Sequence, residues 1–196
     1  MEFRKELFNI PNSLSISRIV LLPLLYLLVL TDMRKTMLIA YIIIASTDYL
    51  DGKFARRFNQ SSELGKTLDS VADLLFYLST AFFFYYLFPE IFTPLMPLLW
   101  VLIGLLVVTF VFSWIKIGRP TLMHTSLLRF SAVAVMAVFC LSYFFDTTPL
   151  VACAMLVYMV AFIEEMLLWG FFGDVDRDTT SFIAVYRQRK MAKKDE

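Results

Sequence analysis

Six long apolar runs follow one another along this chain. They lie near 16–31, 35–56, 65–88, 92–116, 123–145 and 149–172, and each is bounded by charge, proline or glycine. A helix that crosses the hydrocarbon core of a bilayer needs roughly 20 apolar residues, so the runs have about the length of membrane spans. Because 59% of the 196 residues are hydrophobic, a soluble domain could not cover this apolar surface. The sequence therefore predicts an all-α integral membrane protein with six transmembrane helices.

The segments that flank the runs are polar. Residues 2–10 mix charged and large apolar side chains, which predicts either a short helix at the membrane interface or a frayed terminus. We accordingly divide the chain into a juxtamembrane segment (1–15), a six-helix catalytic domain (16–172) and a basic cytoplasmic tail (173–196). The tail is expected on an anionic membrane surface. A formal net charge of +1 does not favour nucleic acid as a partner.

Basic residues predict how the chain is oriented in the membrane. With six spans, both termini and the connections near 57–64 and 117–122 lie on one side. The opposite side has only Arg34 and Lys35. The side of the termini has Arg4, Lys5, Arg18, Lys53, Arg56, Arg57, Lys66, Lys116, Arg119, Arg177, Arg187, Arg189, Lys190, Lys193 and Lys194. Since cytoplasmic loops carry the excess of lysine and arginine, both termini are expected in the cytoplasm of a multi-pass protein of the cell membrane.

Four aspartates stand in pairs in the second and third runs. Asp48 and Asp51 are three residues apart and Asp69 and Asp73 four, so each pair projects from one helical face. Two short connections fold these helices antiparallel, which can bring the two faces together. Ionised aspartates at bilayer depth are costly, so we expect cations to neutralise them. Carboxylates without histidine or cysteine suit a hard divalent cation, namely magnesium, manganese or calcium.

Small and basic residues accompany the aspartates. Gly52 leaves space where a ligand can approach the backbone, and Ala55 keeps the next turn narrow. The planar guanidinium of Arg56 matches phosphate oxygens. Gly65 is expected to open the third helix, although tight helix packing is an equal explanation for the small residues. Because carboxylate-bound metals commonly hold phosphate, these residues favour phosphate chemistry.

The complete spacing resembles a family signature. Asp48-x-x-Asp51-Gly52-x-x-Ala55-Arg56, eight residues, then Gly65-x-x-x-Asp69-x-x-x-Asp73 is similar to the signature of the CDP-alcohol phosphotransferase family. The segment Ile10-Pro-Asn-Ser-Leu-Ser-Ile-Ser-Arg18 is similar to the P-N-x-L-[ST]-x-x-R segment of its phosphatidylglycerophosphate and cardiolipin synthase branch. The resemblance covers residues 10–73.

This resemblance implies a six-helix homodimer with two divalent ions, Mg²⁺ or Mn²⁺, at the cytoplasmic end. Asp48, Asp51 and Asp69 would bind metal, while Asp73 would bind metal and accept the proton of the acceptor hydroxyl. The implied reaction moves a phosphatidyl group from CDP-diacylglycerol to a small alcohol and releases CMP. The substrate-binding residues that we expect are Asn12, Ser15, Gly52, Ala55, Arg56, Ser62 and Gly65.

The sequence leaves the acceptor open. The third run reads Leu68-Asp-Ser-Val-Ala-Asp-Leu74, where the phosphatidylglycerophosphate branch usually has L-D-P-x-A-D-K. An Asp-Ser-x-Ala-Asp pattern is more similar to phosphatidylserine synthases, although those usually lack an arginine corresponding to Arg18. Glycerol 3-phosphate is the first expectation, and serine, inositol phosphate or another alcohol is the alternative. A phosphorylated acceptor needs further cations, for which Arg119 and Arg129 are candidates.

Other functions are also compatible with acidic residues in membrane runs. An ion carrier or channel could use the aspartates as a cation site, without any nucleotide. A membrane prenyltransferase also uses the carboxylates of a D-x-x-D motif with magnesium and diphosphate. Those proteins form longer helical bundles, for which this chain is too short. The sequence assigns no role to His124, Glu164 or Glu165.

Overall fold

A computed structural model describes residues 10–58, 63–118, 125–173 and 181–192, and these parts are helical apart from short connections. The helices are α1 (Ile10–Leu30), α2 (Arg34–Phe58), α3 (Glu63–Leu87), α4 (Pro89–Phe92), α5 (Met96–Ile117), α6 (Ser126–Leu141), α7 (Thr148–Phe172) and α8 (Phe182–Ala192), with a 3-10 turn at Thr93–Leu95. The predicted all-α class is confirmed. The expected interfacial helix at 2–10 falls, except for Ile10, outside the described residues.

Four stretches of the described chain are long and apolar enough to cross a membrane, namely Asn12–Leu30, Leu68–Leu87, Pro89–Ile117 and Thr148–Phe172. Large apolar side chains also face outward along the helices; Ile115, for example, is 76% exposed. Lipid is the solvent that suits such a surface. The chain is therefore a multi-pass membrane protein.

Two of the six predicted spans, those of α2 and α6, are not among these four stretches. Helix α2 has 25 residues, but its second half carries five charges, those of Asp48, Asp51, Lys53, Arg56 and Arg57. Helix α6 has 16 residues and is about 24 Å long, against about 30 Å for the hydrocarbon core. The number of six spans therefore stays a prediction.

Helix α1 starts earlier than we predicted. It begins at Ile10 rather than at residue 16, so residues 10–15 form its first turns. The division of the chain into a juxtamembrane segment, a catalytic domain and a tail stays a prediction. Pro11 is compatible with this start, because an amide in the first turn has no acceptor within the helix and proline lacks that amide. The early start places Asn12 and Ser15 on the same helix as Arg18.

Residues up to Pro89 form the first of two units. Within it, α1 packs against both α2 and α3. Helices α1 and α3 run in the same direction, since Ser15 bonds to Asp69 near their starts and the Tyr26 hydroxyl donates to Ser79 Oγ, at 3.1 Å, further along. Asp32, at a left-handed φ of 53°, ends α1 and turns the chain into α2.

Helix α2 runs back against α3. The hydroxyls of Tyr41 and Thr80 are bonded at 3.0 Å, and the Tyr41 ring stacks on Phe76 with centroids 5.1 Å apart. All three side chains are buried. A buried hydroxyl that lacks a partner is costly, so this bond favours one register between the two helices.

The second unit starts at Glu90. In it, α7 packs against α5, α6 and α8. Helix α8 lies within the stretch 173–196 that we expected as a polar tail, and its Val185 is buried with Leu168 and Trp169 of α7. Glu164 accepts a hydrogen bond of 3.0 Å from the Phe182 backbone nitrogen at the start of α8. This acidic residue thus has a structural partner that the sequence did not indicate.

Candidate active site

Three polar residues lie along one buried side of α1. Asn12, Ser15 and Arg18 follow one another at intervals of three, which keeps them near one face of the helix. Their exposed fractions are only 2%, 3% and 1%. A charged side chain is rarely buried so completely without a partner of opposite charge.

The partners of Arg18 are two aspartates of α3. Its Nη2 donates to Asp69 Oδ1 at 3.2 Å, and its Nη1 donates to Asp73 Oδ1. Ser15 Oγ also donates to Asp69 Oδ1, at 3.3 Å. The side chains of Asp69 and Asp73 keep 33% and 17% of their surface exposed. A single guanidinium thus bridges carboxylates on successive turns of α3 and leaves both within reach of a ligand.

Arg18 is a site residue that sequence reasoning missed. We used it to orient the chain in the membrane and as part of the N-terminal motif segment, but did not include it in the predicted site. The signal was present, because Arg18 is the only charged residue in the apolar run 16–31. A charge inside a span normally pairs within the protein interior. Arg18 therefore supplies part of the positive charge that we had expected from bound metal.

The fold brings the backbone of Asp48 to the same end of the first unit. Tyr41 of α2 stacks on Phe76 of α3, while Asp48 lies seven residues after Tyr41 and Asp69 seven residues before Phe76. Because α2 and α3 run in opposite directions, both aspartates lie at one level, about 10 Å along the helices from the stacked rings. The backbones of Asp48 and Asp69 are therefore at a similar level, while the approach of the two aspartate pairs stays a prediction.

The remaining signature residues of α2 are described only as part of its helix. They are Asp48, Asp51, Gly52, Ala55 and Arg56, whose side chains lie outside those described. Their contacts with Asp69 and Asp73 therefore stay a prediction.

Asp69 and Asp73 supply some of the oxygen ligands that a hard divalent cation needs. No group of three metal-ligating side chains occurs among the described residues, which include the side chains of Asp69 and Asp73 but not those of Asp48 and Asp51. A carboxylate offers about four lone-pair sites, so bonding to Arg18 does not by itself saturate either side chain. Oxygen ligands of this kind suit Mg²⁺ or Mn²⁺. A site for one or two ions stays a prediction.

Among the expected site residues not yet placed, the structure describes Gly65 and Arg129. Gly65 lies in the first turn of α3, as predicted, and is partly buried. Arg129 is exposed near the start of α6, in the second unit. Ser62, Arg119 and His124 lie outside the described residues. The binding of acceptor by Arg119 and Arg129 thus stays a prediction.

Comparison with known proteins agrees with these motifs. A family model described as CDP-alcohol phosphatidyltransferase matches residues 8–170. A CDP-diacylglycerol--glycerol-3-phosphate 3-phosphatidyltransferase of Aquifex aeolicus is 46% identical over 68 residues, and one of Escherichia coli K12 is 41% identical over 69. A cardiolipin synthase (CMP-forming) of Streptomyces coelicolor is 41% identical over 81 residues. The matches cover 35%, 34% and 38% of this chain, respectively, and 38% of each relative.

Proposed function

The chain belongs to the CDP-alcohol phosphatidyltransferase family, and on that premise we propose that it transfers a phosphatidyl group from CDP-diacylglycerol to glycerol 3-phosphate and releases CMP. Two of the relatives named above, from Aquifex aeolicus and Escherichia coli, carry the name of this activity. Because the matched stretch is a little over a third of those proteins, the acceptor is a proposal that needs its own test.

One observation carries the proposal. Ser15 and Arg18, from the first motif segment, contact Asp69 and Asp73, from the last, although more than 50 residues separate the two segments. A packing role would not require polar residues from both motifs to meet at one buried cluster. A reaction centre does require this, because groups that act on one substrate must be held together.

The proposed reaction is a displacement at phosphorus. The acceptor hydroxyl oxygen forms a bond to the phosphorus on the lipid side of the pyrophosphate, and the bond from that phosphorus to the oxygen of CMP breaks. CMP takes the electron pair of the broken bond. A carboxylate oxygen of Asp73 accepts the proton of the hydroxyl.

The other residues of the site bind and orient. Asp48, Asp51, Asp69 and Asp73 would hold Mg²⁺ or Mn²⁺, which would neutralise charge on the pyrophosphate. We propose that the backbone at Gly52 and the guanidinium of Arg56 hold the CMP part of the donor. The substrate-binding set also includes Asn12, Ser15, Ala55, Ser62 and Gly65. Because the guanidinium of Arg18 is buried, its bonds to Asp69 and Asp73 are stronger than those of an exposed ion pair.

An acceptor screen tests the proposal. Purified protein in detergent receives CDP-diacylglycerol, Mg²⁺ and one acceptor at a time, and mass spectrometry identifies the lipid product. Glycerol 3-phosphate is expected to yield phosphatidylglycerophosphate, while serine and inositol phosphate yield nothing above the sample without acceptor. A lipid product with serine alone would overturn the assigned acceptor but keep the reaction class.

A second candidate is cardiolipin synthesis with phosphatidylglycerol as acceptor. The relative from Streptomyces coelicolor favours it, because that protein is named a CMP-forming cardiolipin synthase. The same screen therefore includes phosphatidylglycerol. No CMP with any acceptor, together with cation flux into liposomes, would instead support the transport function.

We also propose a topology and an assembly. Six spans would place both termini, the aspartates and the basic tail on the cytoplasmic side, where lysine and arginine are concentrated. The family resemblance further implies a homodimer. Size measurement in detergent, with the detergent mass subtracted, tests that assembly.

A further inference from the structure

We propose that Arg18 is the positioning residue of this site. It fixes Asp69 and Asp73 in the orientation that the reaction and its metal ions require. The inference rests on the proposed function, because only the proposed reaction gives the two aspartates their roles. Arg18 contacts both carboxylates, whereas Ser15 contacts Asp69.

The first step is the bridging geometry. Carboxylates four residues apart on one helix repel each other and would otherwise favour rotamers that point apart. Arg18 binds Asp69 Oδ1 and Asp73 Oδ1 with different nitrogens of one rigid guanidinium. Since the donors of arginine form a planar fork, the two bound oxygens are held in a fixed relation. The orientation of both carboxylates then follows from the position of Arg18.

The second step is that the position of Arg18 is itself fixed. Its side chain is only 1% exposed. Helix α1 is tied to α3 on both sides of it, by Ser15 to Asp69 and by the Tyr26 hydroxyl to Ser79. Sliding α1 by one turn would break both ties and leave buried polar groups unpaired. The guanidinium is therefore held by the helix pair as well as by the carboxylates.

The third step is that stability alone does not explain a buried Arg18. Replacing buried ion pairs by well-packed apolar side chains is often neutral or stabilising. The apolar run 16–31 supplies such side chains further along the buried face, for example Leu22 and Leu25. A charged residue inside a membrane run is a functional candidate together with its partners. Here those partners are aspartates of the family signature.

The test compares variants of Arg18 with a matched surface control. Arg18→Gln removes the charge, and Arg18→Lys keeps it but cannot bridge both carboxylates as a planar fork. Arg34→Gln removes another arginine that pairs with an aspartate, Asp32, but its side chain is 53% exposed. Each protein is first checked for its thermal midpoint in detergent. The rate of CMP release and the electron paramagnetic resonance spectrum of added Mn²⁺ are then measured.

We expect Arg18→Gln to lower kcat roughly 10–100-fold, the usual effect of removing a group that orients metal ligands. KM for CDP-diacylglycerol should change by less than about threefold, because Arg18 does not hold the donor in this proposal. The spectrum of bound Mn²⁺ should change as its ligands reorient. Arg18→Lys should recover part of kcat, and Arg34→Gln should behave as wild type in every measurement.

Two results would overturn the inference. One is an Arg18→Gln protein with the wild-type thermal midpoint, wild-type kcat and an unchanged Mn²⁺ spectrum. If that variant does not fold, an Arg18→Lys protein with wild-type kcat and spectrum has the same meaning. If wild type itself releases no CMP with any acceptor, the proposed function fails. In that case the Mn²⁺ spectra still test the role of Arg18, because they do not depend on turnover.

Discussion

The ion pairs of Arg18 show what residue spacing could predict and what it could not. The intervals of three and four residues within the aspartate pairs correctly indicated that Asp69 and Asp73 share one face of a helix. Spacing could not say which cation meets them, because that depends on the register between α1 and α3. The register is fixed by contacts such as Tyr26 with Ser79, which are distant in sequence. The lone charge in the run 16–31 indicated that Arg18 needs a partner, but its pairing with Asp69 and Asp73 was visible only in the structure.

Asp73→Asn tests the residue that we propose as proton acceptor. Asparagine keeps the size of the side chain, and its amide oxygen can still accept from Arg18, but it cannot take up the proton. Turnover is expected to fall at least about 100-fold, the lower end of what a general base contributes. Binding of labelled CDP-diacylglycerol should stay within a few-fold of wild type.

The control for this substitution is Asp32→Asn, which alters an exposed aspartate in the turn after α1. It should leave both turnover and donor binding unchanged. Near-normal turnover by Asp73→Asn would remove the role of proton acceptor from this residue.

Helices were predicted well where a single apolar run of the sequence is enough to specify them. The six apolar runs correspond to α1, α2, α3, α5, α6 and α7, with ends shifted by several residues. Helix α8 was missed because its sequence is polar on average and its support comes from another helix. Val185 lies against Leu168 and Trp169, and Glu164 binds the first backbone amide of α8. Such contacts between elements leave no periodic signal in the sequence.

Val185→Ala is expected to loosen α8 from α7. Removing methyl groups from this buried position costs about 1–2 kcal/mol, or roughly tenfold in the local opening equilibrium. Hydrogen exchange should therefore quicken in the amides of α8 but not in those of α1. Ile183→Ala, at a side chain that is 61% exposed, is the matched control and should leave exchange nearly unchanged. Equal exchange in both variants would contradict the packing role of Val185.

At the scale of the whole molecule, composition was enough to predict a helical membrane protein. It was not enough to count the spans, because the charges of α2 and the 16 residues of α6 fall outside what a simple lipid-facing helix requires. Whether α2 crosses the bilayer depends on what covers its charged half, which includes Asp48 and Asp51. That is a property of the assembled bundle and not of the run itself.

Cysteine labelling tests whether α2 crosses. In a background with Cys140 and Cys153 replaced by alanine, single cysteines are placed at Met33, before α2, and at Lys116, near the end of α5. With six spans, three crossings separate these exposed positions, so an impermeant thiol reagent should label Met33→Cys from outside and Lys116→Cys only after the membrane is opened. Without a crossing by α2 both would react on the same side.

The central claim is that a metal-dependent transfer reaction occurs where α1 and α3 bring Arg18, Asp69 and Asp73 together. The most direct test measures CMP release from CDP-diacylglycerol by the wild-type protein, with and without glycerol 3-phosphate, before and after treatment with a chelator. We predict release that requires glycerol 3-phosphate, stops on chelation and returns with Mg²⁺ or Mn²⁺. Release that continues unchanged after complete removal of divalent ions would contradict the claim, as would no release with any acceptor.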